Sequence, residues 1–198
     1  MPRVYVAIGG NIEPERRFAL AARELRRRFP GILYSTCYRN PAFGFKGADF
    51  LNAVAGFDTG ASADQVLADL HDIELRCGRR RDDPKWAPRA MDIDLLLYGD
   101  TVAETADYRL PRPDLLRRSY MLAPLAQIAP ELRHPLTGRS MADHWRELSR
   151  EPHQLEAQGL DLNALAAQAP AAVDGEDLPG DEGRRGSEKN HGRGDIGR

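Results

Sequence analysis

In the N-terminal half of the chain the hydrophobic period switches between two and about 3.6 in a fixed order, which restricts the fold more than any other property of the sequence. VYVAI is a β-rich apolar run closed by Gly9-Gly10-Asn11, and residues 14–29 then set Phe18, Ala21, Ala22 and Leu25 at helical spacing behind Pro14. ILYSTCYR alternates like a half-buried strand, and FLNAVAGFDT reads as another after the connector NPAFGFKGAD. Ser62 and Gln65 form the capping-box opening of a second helix through Val66, Leu67, Leu70, Ile73 and Glu74, which Gly78 ends. DIDLLLY follows as a buried strand. The order βαββαβ predicts an α+β fold, a ferredoxin-like split βαβ sheet with its helices on one face.

After Gly99 the pieces shorten: a Pro-rich link LPRPD, short helices over 115–119 and 121–128, and an amphipathic stretch over 141–148. These are expected to cap the core, making residues 1–160 one domain. Residues 171–198 lack any aromatic and are rich in Gly, Asp, Glu and Arg, a mixture too polar to offset its ordering entropy, so a disordered tail is expected. The 28 basic and 30 acidic residues leave a net charge of -2, which gives no support to wholesale nucleic-acid or membrane binding. Cys37 and Cys77 lie far apart without a metal-ligand pattern, and the apolar run behind Arg3 is too short for a signal-peptide core. A cytoplasmic protein with reduced thiols is expected.

Side chains alternate across a strand, so Asp92 and Asp94 project from one face while Ile93 points to the other. Two like charges that close are unfavourable unless a cation neutralises them, and hard oxygen ligands suit Mg²⁺. The plainer reading, two solvated aspartates at a strand end, is equally compatible with Asp-x-Asp alone. The preceding loop GRRRDDPKWAPR tips the balance by gathering Arg79, Arg80, Arg81, Lys85 and Arg89 at the same strand. Arginine forks and a metal carboxylate pair together fit a polyphosphate. Arg80, flanked on both sides by arginines, reads as part of a solvated loop whose arginines pair with Asp82 and Asp83. Trp86 in so charged a segment suits the cover of a flat ligand better than a core. Phe43, Phe45 and Phe50 lie near Asn52, whose amide on an apolar strand must find partners, a combination suited to a planar heterocycle.

The stretch GRRRDDPKWAPRAMDIDLLLYGD resembles the signature of the 6-hydroxymethyl-7,8-dihydropterin pyrophosphokinase family, and the likeness extends through VYVAIGGN, YRNPAFG, DFLNAV, IELRCGR and PDLLRRSYMLAPLAQIAPEL. The resemblance implies transfer of pyrophosphate from ATP to the pterin hydroxymethyl group, with release of AMP. It implies Asp92 and Asp94 as ligands of two Mg²⁺ ions, and Arg79, Arg81, Arg89, Arg112 and Arg118 as ATP contacts, Arg81 and Arg89 on a catalytic flap. It implies that Phe50 and Tyr120 sandwich the pterin under Trp86, with Asn40, Pro41, Phe43 and Asn52 at its polar edge. Glu74 matches an acidic position without an assigned role. Arg112 stands where the family usually has histidine. ATP and the pterin are the expected partners of a monomer.

Two other readings compete. A diverged pyrophosphokinase would take another pterin-like alcohol, with Asn40 and Phe43 as the residues responsible. An RNA-binding module would stack bases on strand aromatics, whereas the strand here, DIDLLLY, carries acid where a phosphate backbone would lie.

Overall fold

The computed structural model describes residues 1–42, 47–80 and 88–168. In chain order the elements are β1 (Arg3–Gly10), α1 (Pro14–Arg28), β2 (Leu33–Tyr34), β3 (Cys37–Asn40), β4 (Phe50–Asp58), α2 (Ala63–Arg76), β5 (Asp92–Tyr98), β6 (Ala103–Glu104), β7 (Arg109–Leu110), α3 (Ser119–Ile128), α4 (Met141–Leu148), β8 (Glu156–Gln158) and α5 (Leu162–Ala167). The expected βαββαβ order is present, with the run ILYSTCYR divided into β2 and β3. The main sheet runs β5-β1-β4-β3-β8, with β2 also paired to β4. β1, the first strand, sits between β4 and β5, antiparallel to both.

The helices form where the spacing places them. Phe18, Ala21, Ala22 and Leu25 are the buried stripe of α1, and Val66, Leu70, Ile73 and Glu74 that of α2. Leu67 stays half-exposed at the border of that stripe. Ser62 caps α2 by accepting the Gln65 N–H at 3.2 Å, while the Gln65 side chain turns to Asp69, so only half of the capping box closes. Both stripes pack on Val4, Val6, Ile8, Phe57, Ile93 and Leu95 from one face of the sheet. Each large apolar side chain buried there contributes roughly 1.5–3 kcal/mol.

The C-terminal segment departs from expectation in three ways. First, α3 and α4 cap the core as expected, but not from the face that α1 and α2 occupy. They cover the opposite sheet face, where Tyr5, Ala7, Val54, Leu96 and Leu97 meet Leu122, Leu125 and Met141 in a second apolar cluster. Helices therefore lie on both faces. Second, residues 115–119 form no separate helix. The Arg117 and Arg118 N–H groups both donate to the Asp114 carbonyl, which closes a single turn, and Arg118 then becomes the N-cap of α3. One turn fixes several dihedrals for little hydrogen bonding and does not propagate by itself. Third, β8 and α5 were not anticipated. The Asn163 side chain accepts from the Tyr34 N–H and donates to the Tyr34 carbonyl, both at 3.0 Å, and this clamp fixes α5 beside α1 and β2. The tail over 171–198 lies outside the described residues.

Cys37 and Cys77 are free and buried, and burial pushes each thiol up to about 12. Among the described residues, no helix is long and apolar enough to cross a membrane.

Candidate active site

The register places the candidate residues before any side chain is considered. Gly9 on β1 pairs with Asn52 of β4 on one side and with Asp92 of β5 on the other. Paired residues of an antiparallel sheet point to the same face, so Asn52 and Asp92 stand in one row about 10 Å apart with no side chain between them. Phe50 and Asp94 extend this row along the same two strands. A Cβ on Gly9 would lie 3.1 Å from the Asn52 Oδ1, so glycine keeps the gap between amide and carboxylate open.

Asp92 and Asp94 lead β5 on the face covered further along by α3, while Ile93 enters the other core. Each carboxylate meets its own arginine. Arg79 donates from Nη1 to Asp92 Oδ1 at 2.7 Å, and Arg112 Nη1 lies 2.9 Å from Asp94 Oδ1. Burial, and next the charge of Asp92, push the Asp94 carboxyl up to about 6, against the pull of Arg112, Arg79 and Arg89. Burial and the charge of Asp92 thus both disfavour ionised Asp94, and the arginines favour it.

Glu74 is the residue whose role the sequence left open. Only 2% exposed, it accepts the Ile93 N–H at 2.6 Å and the Arg79 guanidinium through the same oxygen. Burial pushes its carboxyl up to about 7, held back by the Ile93 N–H and Arg79. Burial also works against the charge of Arg79, but Glu74 and Asp92 outweigh it and raise its pKa. Glu74 fixes both the start of β5 and the arginine on Asp92.

Asn11 was not singled out as a site residue. Its Oδ1 accepts the Arg89 N–H at 2.7 Å, its own N–H donates to the Arg89 carbonyl at 2.9 Å, and its Nδ2 donates to the Ala48 carbonyl at 3.0 Å. Three loops are joined at the mouth of the sheet. A Cβ on Gly10 would sit 2.8 Å from the Ala90 carbonyl oxygen, so the second glycine permits that close approach. The signal in the sequence is GGN itself, which closes the first strand and belongs to the stretch VYVAIGGN that resembles the family.

The amide end of the row also assembles. Asn52, 7% exposed, donates to Asn40 Oδ1 at 2.6 Å, and Asn40 donates to the Pro41 carbonyl at 2.9 Å. Tyr120, half-buried at the start of α3, feels Arg118, Asp94 and Arg112, and burial raises its hydroxyl above the ordinary range. The Arg112 N–H donates to the Leu96 carbonyl at 2.9 Å, which docks its loop on β5. Of the residues predicted for the site, Arg79, Arg89, Asp92, Asp94, Arg112, Arg118, Tyr120, Phe50, Asn52, Asn40 and Pro41 lie at this end of the sheet. Phe43, Arg81 and Trp86 lie outside the described residues.

A carboxylate pair matched by guanidinium groups, facing amides across an open gap, is chemistry that suits a metal–polyphosphate beside a polar ring. The family comparison narrows that chemistry. The pattern of the 7,8-dihydro-6-hydroxymethylpterin-pyrophosphokinase (HPPK) family matches residues 5–130, and the chain belongs to this family. It is 32% identical over 154 residues to the 2-amino-4-hydroxy-6-hydroxymethyldihydropteridine pyrophosphokinase of Aquifex aeolicus, covering 77% of this chain and 96% of that one. To the enzyme of the same name from Pseudomonas aeruginosa it is 37% identical over 139 residues, covering 67% and 84%. Among solved structures, the wild-type HPPK-DHPS of Plasmodium falciparum superposes with a TM-score of 0.57 at 11% identity, over 74% of this chain and 44% of that one. This chain spans less than half of that protein, and the likeness there is one of fold. Family membership supports the pyrophosphokinase reading and lends nothing to an RNA-binding module.

Proposed function

We propose that the chain transfers the pyrophosphoryl group of ATP to the hydroxymethyl group of 6-hydroxymethyl-7,8-dihydropterin and releases AMP. The observation that carries this reading is the row Asp92, Gly9, Asn52. It sets a carboxylate end for a metal–polyphosphate and an amide end for a heterocycle about two strand spacings apart, room for a bicyclic ring and its hydroxymethyl arm.

The donor set fits Mg²⁺. Asp92 and Asp94 offer hard oxygens from one face, carry mutual repulsion that a cation would relieve, and remain partly open, with side chains 34% and 25% exposed. They would hold the two ions expected with ATP, which when bound supply charge neutralisation at the phosphate oxygens. Arg79, Arg89, Arg112 and Arg118, with Arg81, would bind phosphate oxygens by charge-assisted hydrogen bonds. Phe50 and Tyr120 would stack on the pterin, Asn52, Asn40, Pro41 and Phe43 would read its edge, and Trp86 would shut water out. Arg81, Arg89, Asp92 and Asp94 are the residues assigned to the chemical step. No protein nucleophile is required: the substrate hydroxyl attacks the β-phosphorus in line, and catalysis consists of positioning and charge neutralisation. The reading takes the chain to act as a monomer in the cytoplasm, with every role assigned to a residue of the one chain.

The test is AMP release from ATP, Mg²⁺ and 6-hydroxymethyl-7,8-dihydropterin, with Asp94→Ala as control. AMP formed in step with pterin pyrophosphate, and lost in the control, supports the reaction. Nucleotide binding without AMP would move the assignment to another pterin alcohol.

A further inference from the structure

The two arginines on the carboxylate pair are held differently. Arg79 shares one nitrogen between Asp92 and the buried Glu74, and Glu74 is itself fixed by the Ile93 N–H. Arg79 therefore keeps a carboxylate partner if Asp92 turns to a metal. Arg112 has only the Asp94 contact among the ion pairs of the described residues, and its buried Nε has no hydrogen-bond partner. Its backbone is anchored from both sides, since its N–H donates to the Leu96 carbonyl and its carbonyl accepts from the Leu115 N–H. The guanidinium can thus change partner while its stem stays fixed.

Charge balance gives that mobility a direction. Arg79 and Arg112 each set one guanidinium on one carboxylate of the pair, so Asp92 and Asp94 are already matched by positive charge before any ligand arrives. A bare divalent cation adds uncompensated positive charge in a partly buried site, whereas the same cation on a nucleoside triphosphate arrives with a net negative charge.

We propose that Arg112 is a hand-over residue. It holds Asp94 in place of a metal and passes to a phosphate oxygen only when metal and nucleotide arrive together, which makes capture of free metal unfavourable. The proposal rests on the metal–nucleotide reading above, and it assigns Arg112 a positioning role rather than a chemical one.

The experiment is calorimetric titration of the full chain with Mn²⁺ alone, and with Mg²⁺ plus a non-hydrolysable ATP analogue. Arg112→Gln should bind Mn²⁺ alone about tenfold more tightly and the analogue complex about tenfold more weakly, the scale of losing one charge-assisted contact. Arg112→Lys keeps the charge and should leave Mn²⁺ binding near that of the parent chain. Thermal unfolding of each variant shows that it is folded. Unchanged or weaker Mn²⁺ binding in Arg112→Gln overturns the hand-over, as does an Arg112→Lys variant that behaves like Arg112→Gln. Asp94→Asn separates the two levels: if it still binds the Mg²⁺–analogue complex, the site reading itself fails. If it loses that complex while Arg112→Gln leaves Mn²⁺ affinity unchanged, only the hand-over fails.

Discussion

The two faces of the sheet are built from the same strands but answer to different demands. Under α1 and α2 the surface is apolar except where Glu74 meets the start of β5, with Phe18, Phe57, Leu70 and Ile73 fully enclosed. Under α3 and α4 it is apolar only in its inner part, at Val54, Leu96 and Leu97, and at the strand mouths it gives way to Asn52, Asp92 and Asp94. Strand alternation makes this possible, because Ile93 and Leu95 serve the first face while their neighbours serve the second. One face can therefore carry unfavourable charge because the other supplies the packing that holds it.

That contrast predicts that changes on the two faces separate activity from stability. The largest effect is expected from Asp92→Asn, which preserves shape and leaves Arg79 its partner Glu74. The turnover number should fall by about a thousandfold or more, roughly 4 kcal/mol in the barrier, with the unfolding midpoint unchanged or raised. Turnover assays beside thermal melts decide it, and a variant that loses stability in parallel with activity would break the contrast. Leu70→Ala, on the closed face, should do the reverse and cost about 2–5 kcal/mol of stability in denaturant titrations. Below its unfolding transition the affinity for substrates should stay near that of the parent chain.

Glu74 joins the two regions, since it sits on the closed-face helix and bonds to the strand that bears the aspartates. Its carboxyl holds a proton up to about 7 in the folded chain, against 4.5 as the ordinary value. Over that interval the folded state binds a proton that the unfolded state has released. Stability relative to Glu74→Gln should therefore fall as pH rises from 4.5 to about 7, and be flat below and above. The span is about 3 kcal/mol at most. Denaturant midpoints of both proteins at several pH values measure it. A constant difference across the interval would mean that Glu74 is ionised throughout and acts only as an anchor for Arg79.

The closed face was far more legible in the sequence than the open one. Periodicity reads burial, and the stripes Phe18, Ala21, Leu25 and Val66, Leu70, Ile73 announce themselves by spacing. The aspartates and their basic approach were legible for a different reason, as like charges that need a reason to be adjacent. Asn11 and Glu74 were harder, because their work is a hydrogen bond to a backbone distant in sequence, Arg89 for one and Ile93 for the other. No local pattern encodes that. The position of α3 and α4 on the second face was hidden likewise, since amphipathicity says that a helix must be covered and not by which surface. The short α5 is tied down by an asparagine that clamps Tyr34 across 129 positions of sequence and by Leu162 and Ala166, which enter the core.

The smallest expected effect concerns Gly9, which has no side chain to lose. Alanine there would bring a Cβ to 3.1 Å from the Asn52 Oδ1, and the backbone conformation of a strand accepts alanine without strain. Stability should thus change by less than about 1 kcal/mol. Asn52, however, is held on its other side by the 2.6 Å bond to Asn40, so it can yield only by tilting its amide away from the gap. A misplaced amide misreads a heterocycle edge without disturbing phosphate binding. Gly9→Ala should raise KM for the pterin severalfold, about 1 kcal/mol, and leave KM for ATP unchanged. An equal rise in both constants would show that the row across Gly9 does not divide the site into an acceptor end and a phosphate end, and would remove the observation on which the functional reading rests.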